Sequence, residues 1–540
     1  MSAWFQATCR RYGERPAFSC LGASLTYRQL DALSTQFAAY LQGETVLQAG
    51  DRIAVHLPNV LQFPVAVFGA LKAGLVVVNT NPLYSADELK QQFIDADVKA
   101  VVTLANSAYL VEQALPATRI AQVIVTQLAD LHPRPRAHWI NLQARYLRKI
   151  VPHFKIPGAV KFLRCLKRGR ERTWQPPEVQ PDDLALLQYT GGVTGPSKGV
   201  MLSHGNLLAN IYQLKSVLDK VCLSGKEIVI APLPLYHIYS FTLNCLMMLE
   251  NGAQMVLIIN PRDTAGFVKE LERWPFTVFS GLSSLFVALC QNQEFTQLDF
   301  SRLKVTISGG TALTQATEQL WQQVTGCAIQ EGYGLTEGAP VVAVHPPDVQ
   351  RRPDSAGPAV RLTEAKVIDA EGESLHPGEI GELCVRGPQV MTGYWQRPQE
   401  TARALVDGWL VTGDMARISE EGYIEVIDRK QEVIYTSGFA VYPGELENII
   451  ACHPDVLECV VVGVPDADLG EVVKLFVVSN NRRLTVKTMR DYCRERLTSY
   501  KVPRQVEFRH HLPKTHVGKV LRRKLREEEV NKQCKKRRRL

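Results

Sequence analysis

No stretch of this chain is both long enough and apolar enough to cross a bilayer. The run from Phe63 to Val78 is broken by Lys72, Gly69 and Gly74, and the run from Ile238 to Leu249 stops at Glu250 and Asn251, short of the ~20 residues a span needs. Both read instead as buried helix leading into buried strand. The 12 cysteines contain no Cys-x-x-Cys pair, which argues against a zinc site or a disulfide framework. The opening residues lack the basic-then-apolar order of a secretory signal, so reduced thiols in a cytosolic protein are expected. No internal repeat of fixed period occurs. No Ser-His-Asp set or pair of carboxylates stands out for nucleophilic or acid–base chemistry. Interleaved aromatic and basic motifs are missing too, so no nucleic-acid partner is expected. The common nucleotide-binding P-loop, which needs Gly-Lys followed by Ser or Thr, is absent as well.

What is present fits a multidomain α/β protein. At 540 residues the chain is too long for one core, and its 46% hydrophobic and 21% charged residues are ordinary for a globular protein. The net charge of +8 hints at an anionic partner. Short β-branched runs (Val76 to Val78, Ala100 to Thr103, Gln122 to Val125, Met255 to Ile259, Lys304 to Ile307) alternate with polar helical stretches. That alternation is the mark of βα units and largely parallel sheets flanked by helices. A composition break near Asp428 divides a large N-terminal domain, 1–428, from a small C-terminal one, 429–540, which ends in a polybasic tail from Lys535 to Arg539.

One segment stands apart. Residues 134–172 hold twelve Lys or Arg against one acid, Glu171. Within them Trp139, Leu142, Tyr146, Leu147 and Ile150 fall at helical spacing with Arg145, Arg148 and Lys149 between. A basic amphipathic helix of this kind suits the surface of an anionic membrane, such as the cytoplasmic face of the inner membrane. A solvated helix or an intersubunit contact in a homodimer would show the same pattern. Burial of Trp139 and Leu142 would exclude the membrane reading.

The stretch richest in chemistry runs from Gln188 to Gly199: Gln-Tyr-Thr-Gly-Gly-Val-Thr-Gly-Pro-Ser-Lys-Gly. Glycines allow backbone N–H groups to approach a ligand, threonine hydroxyls add donors, Lys198 adds a point charge, and no acid interrupts them. The segment has the makings of a phosphate grip, built from Thr190, Gly191, Gly192, Thr194, Gly195 and Lys198. Downstream lie Ser308-Gly309-Gly310, Gly332-Tyr333-Gly334-Leu335-Thr336-Glu337, Thr412-Gly413-Asp414, Asp428-Arg429-Lys430 and Pro513-Lys514-Thr515-His516-Val517-Gly518-Lys519. Taken alone, each has a bland reading as a loop, turn, cap or solvated tail.

Together and in this order, from about Phe18 to Arg526, they resemble the acyl-adenylate-forming superfamily, and more narrowly the bacterial long-chain fatty-acid–CoA ligases. The resemblance implies a large AMP-binding domain followed by a small, mobile α+β domain. It implies a two-step reaction with ATP, Mg²⁺, a fatty acid and coenzyme A. By resemblance the loop at 190–199 grips phosphate, and Gly309 and Gly310 form a backbone wall against adenine. Gly332 leads into Tyr333, which stacks on the base, while Thr336 contacts the α-phosphate and Glu337 holds the metal. Asp414 and Arg429 take the ribose hydroxyls, and Lys519 reaches the acyl carboxylate. His237, in Leu233-Pro234-Leu235-Tyr236-His237, borders the acyl site. Gln431 stands at the hinge about which the small domain turns, and Gly438 lies on the loop that enters for thioester formation.

Gly191 and Ser197 stand where the family has Ser and Pro, a mild change, and two further positions depart from the pattern. Val193 replaces a hydroxyl residue, and Gln431 is neutral where the family carries Asp or Lys. One missing neutral donor costs roughly 0.5–3 kcal/mol, so slowed activity is expected, with Val193→Thr raising the adenylation rate. Two alternatives stay open at this stage: an acyl-AMP ligase with a carrier-protein acceptor, and a weakened paralogue that only binds ATP or acyl-CoA.

Overall fold

The computed structural model describes the chain apart from residues 191–196, 311–312, 350, 353–354, 437–438, 467–469, 482, 516–519 and 538–540. Two eight-stranded sheets form the large domain. The first runs, in spatial order, Val341–Val344, Ile329–Gly334, Val305–Gly309, Val278–Gly281, Ile228–Ala231, Gln254–Leu257, Pro16–Cys20 and Ala23–Thr26. Its six inner strands are parallel and only the two outermost pairings are antiparallel. The second runs Gly393–Tyr394, Lys198–Ser203, Leu184–Thr190, Val76–Asn79, Arg52–His56, Val98–Leu104, Gln122–Thr126 and Val160–Lys161. Its five central strands together with Val160–Lys161 are also parallel.

Parallel strands covered by helices on both faces bury every side chain, hence the unbroken Val/Ile/Leu runs rather than alternation. Val76–Asn79 is buried at all four positions. Gln62–Lys72 is buried at every residue, so the apolar stretch read as helix-then-strand is a core element. Lys72 tolerates this because its ammonium reaches Asp31 Oδ1 at 2.6 Å, with the hydroxyls of Ser34 and Thr35 alongside.

A third, antiparallel sheet follows: Glu364–Ile368, Gly381–Arg386, Trp409–Ile418 and Leu405–Val406, with Ile424–Arg429 paired on Trp409–Ile418. The small domain is built on Phe439–Val441, Ile434–Thr436, Gly470–Ser479 and Val456–Asp466, plus Gln505–Phe508, and carries helices Pro443–Ala451, Val486–Arg496 and Arg522–Arg537. It has its own apolar cores, one around Leu446, Ile450, Leu475 and Met489 and another around Val462, Phe476 and Leu525.

Local signals explain the placement of site elements. Strand Lys198–Ser203 runs straight into helix His204–Leu218, whose start is fixed by a reciprocal cap: the Asn206 N–H donates to Ser203 Oγ, and the Ser203 N–H to Asn206 Oδ1. The Asn206 amide then donates to the carbonyls of Pro388 and Val390 at 2.9 and 2.8 Å. That pins the chain so that Gly393-Tyr394 pairs with Met201-Val200 at the sheet edge.

Candidate functional site

The glycine-rich segment joins two antiparallel strands, Leu184–Thr190 and Lys198–Ser203, with Thr190 directly opposite Lys198. A P-loop joins strand to helix, so this hairpin is a different device for the same residue types. Gly199 lies against the Tyr189 ring, where a Cβ would come within 3.1 Å. Ser197 donates its hydroxyl to the Thr190 carbonyl at 2.5 Å and closes the neck of the hairpin. Tyr189 donates to Asp95 Oδ2 at 2.6 Å, while Arg397 holds Asp95 Oδ1 at 2.6 Å and Trp395 Nε1 donates to the Asp95 carbonyl. One aspartate thus clamps the hairpin to residues 395–397. Gly191, Gly192, Val193, Thr194 and Gly195 lie outside the described residues.

Around the base of the hairpin sits a cluster that sequence reasoning only half assembled. Glu337 belongs to the single turn Thr336–Gly338, which follows strand Ile329–Gly334. Tyr394 donates its hydroxyl to Glu337 Oε1 at 2.7 Å, and no second hydrogen bond reaches this carboxylate among the described residues. Burial first, then the Glu337 carboxylate, pushes the Tyr394 phenol well up, so it remains a donor. The Met391 N–H donates to the Glu337 carbonyl at 2.8 Å and fixes the spacing. Lys198 pairs with Glu400 and lies over the Tyr394 ring, 5.2 Å from its centre. Tyr394 and Glu400 were not among the residues singled out from sequence. An aromatic hydroxyl and an acid beside Pro398 give no local sign that their partners lie 57 and 202 residues away.

A second cluster lies where the first and third sheets meet. Gly309 and Gly332 are register partners on neighbouring strands. A Cβ at Gly309 would come within 3.3 Å of the Gly332 carbonyl and 3.4 Å of the Tyr239 ring, so the backbone itself forms the wall. Gly310 turns with φ +83°, a left-handed conformation suited to glycine. The next residue after Gly332, Tyr333, donates its hydroxyl to Asp414 Oδ2 at 2.5 Å, and Arg429 Nε meets Asp414 Oδ1 at 2.8 Å. Asp414 is 3% exposed while Arg429 is 52% exposed. The Asp414 N–H is held by Thr412 Oγ1, whose hydroxyl in turn donates to the Leu383 carbonyl. Burial, together with the Asp414 charge, drives the Tyr333 phenol well above its ordinary range.

His237 precedes Ile238–Ser240 and accepts the Tyr239 N–H on Nδ1 at 3.3 Å, and Tyr239 donates its hydroxyl to the Ile307 carbonyl beside the glycine wall. The border between domains is equally specific. Arg429 is tied to Asp414 of the large domain. Two residues on, the carbonyls of Gln431 and Glu432 each accept from Arg526 at 3.2 Å, on the last helix of the small domain, and Arg526 also pairs with the Glu432 carboxylate at 3.0 Å. Gly438 and Lys519 lie outside the described residues.

Among the described residues no three His, Cys, Asp or Glu side chains gather into a metal cage. Glu337, whose carboxylate accepts only from Tyr394 among the described residues, is the kind of oxygen ligand that suits Mg²⁺ held jointly by one acid and ligand phosphates.

A fold of this kind, with glycine walls, a buried carboxylate and a lysine hairpin in a two-domain chain, is that of adenylate-forming enzymes. A model of the AMP-binding enzyme family matches residues 5–395, and one of the AMP-binding enzyme C-terminal domain matches residues 445–519; the chain belongs to this family. It is 46% identical over 524 residues to a long-chain-fatty-acid–CoA ligase of Escherichia coli O157:H7, covering 97% of this chain and 93% of that one. A long-chain-fatty-acid–CoA ligase of Bacillus subtilis is 37% identical over 528 residues, with 96% and 93% covered. The ATP-bound structure of MatB from Rhodopseudomonas palustris superposes with a TM-score of 0.85 at 27% identity, covering 98% of both chains.

Proposed function

We propose that this protein is a long-chain fatty-acid–CoA ligase that forms acyl-CoA, AMP and pyrophosphate through an acyl-AMP intermediate. The observation that carries this reading is the convergence of Tyr333, Asp414 and Arg429 into one hydrogen-bonded unit beside a glycine wall, with Glu337 and Lys198 at the neighbouring hairpin. Relatives named long-chain-fatty-acid–CoA ligase over nearly the full chain support the substrate class.

In the first step a carboxylate oxygen bonds to the α-phosphorus of ATP and the bond to pyrophosphate breaks. Both reactants are anions, so the chain must neutralise charge and fix the line of attack. Lys198, the hairpin N–H groups, Thr190, Thr194 and Thr336 take that role on the phosphates, and Lys519 on the carboxylate. Asp414 and Arg429 hold the ribose hydroxyls, and the Gly309, Gly310 and Gly332 backbone packs on the base beside Tyr333. Mg²⁺, held by Glu337, supplies charge neutralisation to the phosphates when bound. In the second step the coenzyme A thiol, losing its proton, attacks the acyl carbonyl and AMP leaves. His237 borders the acyl group, and Gly438 lies on the loop that guides the thiol. The chain divides at 428/429, and Gln431 is the pivot between the two poses of the small domain.

The test is pyrophosphate release from ATP and Mg²⁺ with palmitate, octanoate or acetate, with and without coenzyme A, against a Lys519→Ala control. Palmitate- and coenzyme-A-dependent turnover that the control loses is the expected result. Adenylation without coenzyme-A-dependent turnover would point to a carrier-protein acceptor. ATP binding without release for any acid would sink the ligase reading.

A further inference from the structure

The segment 136–150 is built inside out. Helix Arg136–Leu142 continues through a wider turn, Gln143–Leu147. Its inward face is small or polar: Ala137 and Ala144 are buried, and Asn141 accepts the Ala129 N–H at 2.9 Å and donates to Asp130 at 3.3 Å. Arg136 anchors the start by donating to the carbonyls of Leu21 and Gly22. The large apolar residues point the other way. Trp139 is 61% exposed, Leu142 50%, Tyr146 63% and Leu147 67%, with Ile150 just beyond at 44%. An ordinary surface helix reverses this arrangement, because exposed Trp and Leu forfeit the gain of burial.

Charge completes the picture. Between Asp130 and Glu171 the chain carries eleven Lys or Arg and no acid. Arg145, Arg148 and Lys149 are exposed on the apolar stretch itself, and Leu163, Arg164 and Lys167 are exposed on the next helix along the chain, Phe162–Arg170.

We propose that this face docks on an anionic phospholipid surface, with Trp139, Leu142, Tyr146 and Leu147 entering the headgroup–acyl boundary and the cations meeting lipid phosphates. Apolar depth with a basic rim is what an interfacial helix needs. A second copy of the same face would set these cations against one another, which disfavours self-association. The proposal does not depend on the ligase reading, and its test reads binding rather than turnover.

Trp139 is the one exposed tryptophan of the seven, which makes it a clean reporter. The full chain is sedimented with vesicles of phosphatidylcholine alone and of phosphatidylcholine containing one-third phosphatidylglycerol, at low and high salt. Binding to the anionic vesicles only, weakened by salt, is expected. Tryptophan quenching by brominated acyl chains is expected too, and should vanish in Trp139→Phe while binding persists. Charge reversal at Arg145, Arg148 and Lys149 should lower partitioning at least about 100-fold, since each cation near such a surface is worth about a factor of five. Leu142→Ser with Leu147→Ser should weaken binding with all charges kept. Equal binding to both vesicle types, quenching that survives Trp139→Phe, or a charge-reversed variant that binds like the parent would each overturn the proposal. So would a lipid-free dimer, abolished by Trp139→Ala, with no vesicle binding.

Discussion

Replacing Asp414 by asparagine changes one charge and almost no volume at the centre of the proposed ribose site. The parent carboxylate is nearly fully buried, takes the Tyr333 hydroxyl at 2.5 Å on one oxygen and Arg429 Nε at 2.8 Å on the other. An asparagine carbonyl still accepts from Tyr333, and the backbone stays in place because Thr412 holds the N–H. The guanidinium loses its carboxylate, but Arg429 is half exposed and water can solvate it, so the folding cost is small, about 1 kcal/mol. Binding is affected more. Two charge-assisted hydrogen bonds to ribose hydroxyls become one neutral acceptor and one mismatched amide, a loss of about 1–3 kcal/mol. That converts to a fall of about 5- to 150-fold in kcat/KM for ATP. Pyrophosphate release is measured against ATP and 2′-deoxy-ATP at saturating palmitate and coenzyme A, with thermal melting alongside. The parent should favour ATP, and the Asp414→Asn variant should narrow that preference. An unchanged kcat/KM in a folded variant, or an undiminished preference for ATP, would refute the ribose assignment.

Tyr394→Phe keeps the ring over Lys198 but removes the hydroxyl on Glu337; half-maximal activity should then need more Mg²⁺, with kcat/KM for ATP down about two- to ten-fold, as a magnesium titration would reveal. Asn206→Ala removes one half of the reciprocal helix cap, the acceptor of the Ser203 N–H, and leaves two carbonyls, Pro388 and Val390, without their donor; a loss of about 2–4 kcal/mol is expected in urea unfolding, and an unchanged midpoint would count against the pinning argument. Burial lowers the pKa of both His56 and His204 from 6.5 to about 4. Between those values the unfolded chain binds more protons than the folded one, so stability holds above about pH 6.5 and falls as pH drops toward 4. The loss should reach about 2 kcal/mol per histidine at about pH 5, read from urea midpoints at about pH 7 and pH 5.

Much of this was written locally in the chain. Val76 to Val78 reads as buried strand, because consecutive β-branched residues between polar helical stretches suit a parallel sheet covered on both faces, and all three are buried. Tyr333, Asp414 and Arg429 were singled out by the order of their motifs along the chain, through resemblance to a family, and the fold brings the three into contact. The basic amphipathic segment was equally visible as a charge and hydropathy pattern, and Trp139 and Leu142 are indeed exposed.

Other features depended on the fold. Nothing local says that Tyr394 faces Glu337, that Glu400 meets Lys198, or that Asp95 clamps the hairpin through Tyr189, Trp395 and Arg397. Each is a single polar side chain whose partner is brought near by sheet pairing across 57 to 302 residues, and a hydrogen bond leaves no periodic trace in sequence. The direction of the 136–150 segment is of the same kind. Helical spacing shows that its apolar residues share a face. Only the anchoring of Ala137, Asn141 and Ala144 against the domain decides that this face looks outward. The sequence alone determined which runs must be buried and which residues share a helical face, since those depend on composition and period. Tertiary structure decided which side chains meet, because that depends on where distant strands are hydrogen-bonded together.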